Sequence, residues 1–397
     1  MRSLNIFENT EQILNNHFTG LHAGGGRSSI PGGQSAADQA LAQLDITGYA
    51  KRRSQVFPQS TRGATGLSPY IRHNLLTLPQ LWKAVRSAPY EDKKKFQDEL
   101  LWQEYTRHLY ARMGTRLFQD LRFTHGQESL GDGWAPGMAC VDTVVEELET
   151  EGWLVNQSRM WLASHWSVRN QIHWRQGQER MFKHLLDGSR AANLAGWQWT
   201  VGTATGKPYG FARWQVESRA PGVCKSCPLK KNCPIEEFAD IESPHEASVD
   251  PLLFSDPDLA ATTGPVAAYT NRPPEVVLLT IDSLGDSDPA FSEHPELPVA
   301  FVFNEAALSK LQLSSKRIIF YIETLRDLAE RRETQVYLGN PYEFARQNNV
   351  AVTYAPVPSF AKFTDLAELH PYPWLRRPHA GSLQSFSAWR KKLKDRD

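Results

Sequence analysis

Two textures of hydrophobic pattern divide the chain. In the last third, unbroken apolar runs of strand length stand at Val276–Ile281 (VVLLTI) and Val299–Phe303 (VAFVF). A stretch of helical period follows from Ser314 to Arg331, then a strand at Gln335–Leu338, a helix starting at Pro341 and a strand at Val350–Tyr354. Strands separated by helices predict a short parallel sheet of about four strands. Before residue 250 the apolar positions recur at helical spacing instead. Phe96–Leu109 reads as an amphipathic helix, and Gly152–Trp199 as two helices joined by a turn at Asp187–Gly188. The segment Thr65–Tyr70 is a loop ending at a helix start, with Ser68 as N-cap and Pro69 at the first helical position. HAGGGRSSIPGG (22–33) reads as a surface loop, and the Pro-rich residues after Pro356 as irregular. The expected organisation is α + α/β: an irregular segment at 1–45, an all-helical domain at 46–250, a small α/β domain at 273–356 and an irregular tail at 357–397.

A length of 397 residues is enough for two domains, and 41% hydrophobic content suits a packed core. No apolar run has the length of a membrane span, and Met1–Asn16 is polar and mixed in charge, so neither a membrane helix nor a signal peptide is expected. Four cysteines in so long a chain do not make a disulfide framework, which points to a cytoplasmic setting. Lys plus Arg number 44 and Asp plus Glu 44, so overall charge does not advertise a nucleic-acid binder. The basic runs Lys51–Arg53, Lys93–Lys95 and Arg390–Lys394 are of a kind that usually forms solvated faces.

Six of the twelve tryptophans fall within Gly152–Trp199. Any one of them suits a core, since aromatics bury much area; the ordered run is more specific. It reads Gly152-Trp153, Asn156, Arg159-Met160, Trp174-Arg175-Gln176-Gly177, Asp187-Gly188-Ser189, Ala191-Ala192-Asn193 and Trp197-Gln198-Trp199. This order resembles the FAD-binding core of the photolyase/cryptochrome family. Upstream, Thr65-Gly66-Leu67-Ser68-Pro69 looks like that family's phosphate cradle, where a helix start offers free N–H groups to a diphosphate. Tyr49 resembles its phosphate-contacting tyrosine. The Phe96–Leu109 helix is similar to the one that lines flavin and lesion, with Glu99 and Trp102 three residues apart on one face.

The resemblance implies a bent FAD held by Tyr49, Thr65, Gly66, Leu67, Ser68, Phe96, Glu99, Asn156, Arg159, Asp187, Ser189 and Asn193, with Arg159 paired to Asp187 and Asn193 facing flavin N5. It implies a lesion pocket of Glu99, Trp102, Asn156, Met160 and Trp199, and electron entry through Trp174 and Trp197. The α/β half is similar to the family's antenna-type domain, a Rossmann-like unit, through Asp282, Leu284, Asp288-Pro289-Ala290 and the helix from Arg317. In the family that domain comes first, so the order here is that of a circular permutation.

Cys224, Cys227 and Cys233 form C-x2-C-x5-C, with Cys140 far upstream. On spacing alone a zinc site is the general reading of such a set. The positions, one cysteine before the flavin core and three after it, resemble the iron–sulfur bacterial cryptochrome and photolyase branch and imply a [4Fe–4S] cluster, with zinc as the alternative.

The implied activity is light-driven repair of cyclobutane pyrimidine dimers by a deoxyribodipyrimidine photo-lyase. Its partner is DNA containing such dimers, and the protein acts as a monomer. Gln103 and Gln157 stand where repair enzymes of the family carry arginines, and the neutral chain offers no evident replacement, so a single strand is favoured over duplex. The alternative is a cryptochrome-like blue-light photoreceptor without repair. A third reading is a flavoprotein that passes electrons through its metal centre.

Overall fold

The structure is a computed structural model and describes residues 1–124, 129–239, 244–270 and 272–393. Among the described residues eight strands occur in chain order: β1 (Arg2–Ser3), β2 (Phe123–Thr124), β3 (His245–Glu246), β4 (Val276–Leu279), β5 (Val299–Asn304), β6 (Thr334–Gly339), β7 (Val350–Thr353) and β8 (Ala367–His370). Six of them make one sheet in the order β1-β6-β5-β4-β7-β8, and β2 and β3 form a separate ribbon. The five strands β4 to β8 run parallel, in register through pairs such as Val277↔Val299 and Ala351↔Glu368, while β1 closes one edge antiparallel against β6. Central strands β4 and β7 are buried along their whole length, as apolar runs without alternation require of a sheet covered on both faces.

The sheet therefore has six strands, not about four. Its edges come from the two segments expected to be irregular, residues 1–45 and 357–397. A two-residue strand and the sequence Ala-Glu-Leu-His are too short to reveal a period, and their pairing is decided by the neighbouring strand. The N-terminal segment also forms helices Thr10–His17 and Gln34–Ala42, which pack on the Ser315–Ala329 helix. The glycine-rich 22–33 stretch is strapped to that same helix instead of lying free: Lys316 Nζ donates to Gly25 O at 2.8 Å, and the Gly33 N–H donates to Thr324 Oγ1 at 3.0 Å.

Tyr90–Met113 is the longest helix and the axis of the helical half. Arg190–Val201 packs on it and in turn on Asn156–Ala163, continued by a π-helical turn at Ser164–Arg169, and on Trp174–His184, while Ala139–Glu151 packs on Asn156–Ala163 and Trp174–His184. The β2–β3 ribbon lies in this part of the chain, so it is not all-helical. The tail forms a helix at Phe386–Leu393 along the Tyr90–Met113 axis, and Lys394, the last position of the basic run, lies outside the described residues. Leu75, Phe96 and Leu100 share one buried cluster with Val277, Phe301 and Phe320, so helices and sheet are built on a common core.

Candidate functional site

A cavity of about 1250 Å³ opens between the helices and reaches the sheet. It is larger than the roughly 300–1,000 Å³ of ordinary small-molecule pockets. The cofactor and lesion-pocket residues expected from the sequence, together with Trp197, line it; Trp174 does not.

At its centre is the Arg159–Asp187 pair. Asn156–Ala163 carries Arg159, whose Nη2 donates to Asp187 Oδ2 at 2.6 Å and to Leu154 O at 3.0 Å. The second carboxylate oxygen of Asp187 is buried with no hydrogen-bond partner. A buried acceptor without a donor costs about 1–3 kcal/mol, and here it borders a cavity, so a ligand N–H is its natural complement. Asn193, buried on the cavity wall, accepts the Ser189 N–H at 3.2 Å, and Ser189 caps the Arg190–Val201 helix through the Ala192 N–H.

The turn that presents Asp187 is held by the sheet half. Arg317, fully buried on the Ser315–Ala329 helix, donates to Leu185 O and Phe182 O. Burial pushes its guanidinium down to about 10. A Cβ at Gly188 would lie 1.8 Å from Arg317 Nη2, so a side chain at this position of the Asp-Gly turn would displace the guanidinium from its carbonyl partners. On the other side Arg72 Nε donates to Gly188 O at 3.0 Å while its Nη1 pairs with Asp282 at 2.6 Å. Asp282, just past the end of β4, is thereby linked through Arg72 to the Asp187–Gly188 turn.

Ser68 departs from the expected cap. The Ser68–Arg72 helix has Leu67 as its N-cap, without a side-chain bond, and Ser68 Oγ instead accepts the indole N–H of Trp153 at 2.8 Å. Pro69 does stand in the first turn. Tyr49 packs edge-on against Phe96 with ring centroids 5.2 Å apart, and burial raises its phenol. Glu99 is paired with Arg53 at 3.3 Å and Lys95 at 3.0 Å. Arg53, absent from the sequence-based set, thus brings a cation to the wall beside Tyr49.

The residues expected to line a lesion pocket divide. Asn156 Nδ2 contacts Met160 Sδ at 3.6 Å, and Trp199 is 39% exposed. Gln157 is buried and donates to Tyr209 Oη at 2.8 Å. Trp102 is covered on one face by Phe386 of the tail helix. Phe386 was missed because 357–397 reads as irregular; the spacing Phe386, Trp389, Leu393 is the amphipathic signal that would have found it.

Trp197 lies beside Trp134, ring centroids 6.4 Å apart, and Trp134 touches Trp166 at 5.0 Å. Gly177 lies against both Trp197 and Trp166, where a Cβ would come within 2.4 Å of the Trp197 ring. Trp174 stands apart, its N–H on Asp120 Oδ1 at 2.8 Å and its ring against His173. Of these two rings, Trp134 is the one paired with Trp197.

All four cysteines are free thiols. Cys140, on the Ala139–Glu151 helix, faces the Val223–Ser226 turn; burial first, then Cys224, Cys227 and Cys233, raise its thiol to about 12. Among the described residues, the group of His, Cys, Asp and Glu ligand atoms lying within 4.8 Å of one another is His294, Glu368 and His370, so no three of these sulfurs are that close. A zinc tetrahedron with 2.3 Å bonds holds its sulfurs roughly 3.8 Å apart. No three of the sulfurs meet that spacing as the side chains stand, and the four share one locality around Cys140.

Residues 96–215 match the FAD binding domain of DNA photolyase. The deoxyribodipyrimidine photo-lyase of Thermus thermophilus is 33% identical over 177 residues, 41% of this chain and 40% of that protein. That of a Synechococcus species is 28% identical over 186 residues, 42% and 37% of the two chains. Cryptochrome DASH of Gloeobacter violaceus is 27% identical over 188 residues, 41% and 36%. The matches span about two-fifths of the length of these relatives. Among solved structures, a Synechocystis cryptochrome gives a TM-score of 0.43 at 20% identity, over 49% of this chain and 44% of that one. This chain therefore carries a photolyase-type FAD-binding region, and the six-stranded, mostly parallel sheet stands beside it. No helix among the described residues is long and apolar enough to cross a membrane.

Proposed function

We propose that the protein binds FAD in the central cavity and acts as a light-driven, photolyase-like enzyme on cyclobutane pyrimidine dimers in single-stranded DNA. The observation that carries this is the Arg159–Asp187 pair with its unpartnered Asp187 oxygen, set in a large cavity within a segment matching the photolyase FAD-binding domain. Bound FAD supplies, from its reduced and light-excited form, the electron that opens a dimer and is afterwards returned.

The chain's own residues supply geometry and electrostatics. Asp187 accepts a ring N–H, Arg159 holds Asp187 and places a positive charge beside the ring, and Asn193, fixed by its bond to the Ser189 N–H, presents a neutral amide. The Thr65–Ser68 loop and Tyr49 receive the diphosphate. Glu99, Asn156, Met160, Trp102 and Trp199 form the opening through which an extruded dimer reaches the flavin, with aromatic faces for stacking and a carboxylate for the base edge.

The same reading takes Cys140, Cys224, Cys227 and Cys233 as ligands of a [4Fe–4S] cluster, places the chain in the iron–sulfur branch with permuted domain order, and treats it as a monomer. The convergence of Cys224, Cys227 and Cys233 on Cys140 supports one shared centre, with zinc as the alternative occupant. Iron and acid-labile sulfide near four per chain are expected in protein prepared without oxygen; stoichiometric zinc without iron overturns this part.

A second reading, photoreception without repair, is favoured by one observation, the covering of Trp102 by Phe386. Illuminating the reduced protein with dimer-containing oligonucleotides, single- and double-stranded, separates the two. Repair of the single strand above duplex supports the enzyme; repair of neither, with FAD bound and photoreducible, supports the receptor.

A further inference from the structure

Far from the cysteines, two imidazoles converge on one buried carboxylate. Glu368 and His370 are i and i+2 on edge strand β8, so their side chains share a face. His294 follows the Pro289–Glu293 helix, which packs on β7 and β8. Nε2 of His294 lies 2.5 Å and Nε2 of His370 2.7 Å from the same Glu368 Oε1. Glu368 and His370 are buried, and the His294 side chain is 22% exposed.

Burying a carboxylate is costly unless a charge compensates it. The ion-pair partners of Glu368 are these two histidines, and neutral imidazoles bring N–H groups without charge. The nearby Arg332 guanidinium is committed to the carbonyls of His294 and Leu297. Two histidine nitrogens and a carboxylate oxygen are a zinc donor set that leaves a fourth position open. The partly exposed His294 provides both that opening and a path of entry. Asp288 supports the group from behind. Its buried carboxylate accepts from Ser283 and from the Phe291 N–H, fixing the start of the helix that delivers His294, and lies within electrostatic reach of His370.

We propose that His294, Glu368 and His370 form a binding site for a divalent transition-metal ion of the zinc type, separate from the cysteine centre and tying edge strand β8 to the preceding helix. A tetrahedral ion with bonds of about 2.0–2.1 Å holds its donors roughly 3.3 Å apart. Entry thus requires each imidazole to back away by less than about 1 Å, which a rotation of His294 at the rim provides.

The test uses the full chain, incubated with zinc and desalted, beside His294→Ala and Glu368→Gln. His294→Ala changes a partly exposed side chain, and Glu368→Gln keeps the shape while removing the charge. The wild type should retain about one zinc more than either variant, or bind it roughly 10–100-fold more tightly, with FAD content unchanged. Zinc should raise the melting temperature of the wild type and not of His294→Ala. Cobalt in place of zinc should add visible bands without sulfur-to-metal charge transfer. Equal zinc in all three proteins, or charge-transfer bands on the additional cobalt, overturns the proposal.

Discussion

Phe386 lies flat on Trp102, ring centroids 4.1 Å apart and planes within 10° of parallel. One face of the tryptophan that should stack a base is thus taken by the chain's own tail. The contact is not incidental, because the tail is fastened along the Tyr90–Met113 helix. Tyr105 donates to Leu383 O, and Arg112 donates to Gly381 O. His108 accepts the Trp389 indole N–H on Nδ1 and bonds Arg376 O through Nε2; burial pushes it down to about 3, so it stays neutral in this double clamp.

Phe386→Ala should uncover Trp102 and raise affinity for a dimer-containing single strand. An aromatic contact to a base is worth roughly 1–3 kcal/mol, or about 5–150-fold. Loss of the ring pair should cost about 0.5–1.5 kcal/mol of stability. Binding titrations of variant and wild type check this, and unchanged affinity means the base does not use that face.

Arg159→Ala should lose FAD and destabilise the fold. It leaves the Asp187 carboxylate, 5% exposed, without its cation, and breaking one side of a buried pair costs about 3–5 kcal/mol. FAD content after gel filtration and the denaturant midpoint are the measurements. Normal FAD retention places the flavin elsewhere.

Photoreduction of oxidised FAD should slow in Trp197→Phe and in Trp134→Phe. It should be little changed in Trp174→Phe, because the ring 6.4 Å from Trp197 is Trp134. Flash photolysis of the three variants decides; a larger effect at Trp174 than at Trp134 restores the order read from the sequence.

Glu104 should make stability depend on pH. It is fully buried on the axial helix, its Oε1 accepts the Arg376 N–H at 2.8 Å, and burial raises its carboxyl to about 7. Between about 4.5, where the unfolded chain ionises, and about 7, the folded state keeps a proton the unfolded state has lost. Its contribution is therefore complete below pH 4.5 and is lost as pH rises through 7, by roughly 3 kcal/mol at most. Glu104→Gln, which keeps an acceptor for Arg376, should flatten this part of the stability profile. An identical slope in the variant removes Glu104 as its cause.

What the sequence determined by itself is local or short in range. Val276–Leu279, Val299–Asn304 and Ser315–Ala329 are legible because a buried strand and a one-sided helix each impose a period on their own residues. The Arg159…Asp187 pair was legible from the ordered run of residues in which both stand, and the structure brings the two together. Only the tertiary structure decided the rest. Whether Arg2–Ser3 and Ala367–His370 are strands depends on an edge supplied from elsewhere in the chain. Ser68 turns from cap to acceptor because Trp153 arrives beside it. Gly188 leaves room for Arg317, which crosses from the sheet half. Trp102 meets Phe386, and His294 meets Glu368, across separations of 284 and 74 residues that no local pattern records. Such contacts are selected by the shape and charge of the whole core, which exists only once both halves have packed.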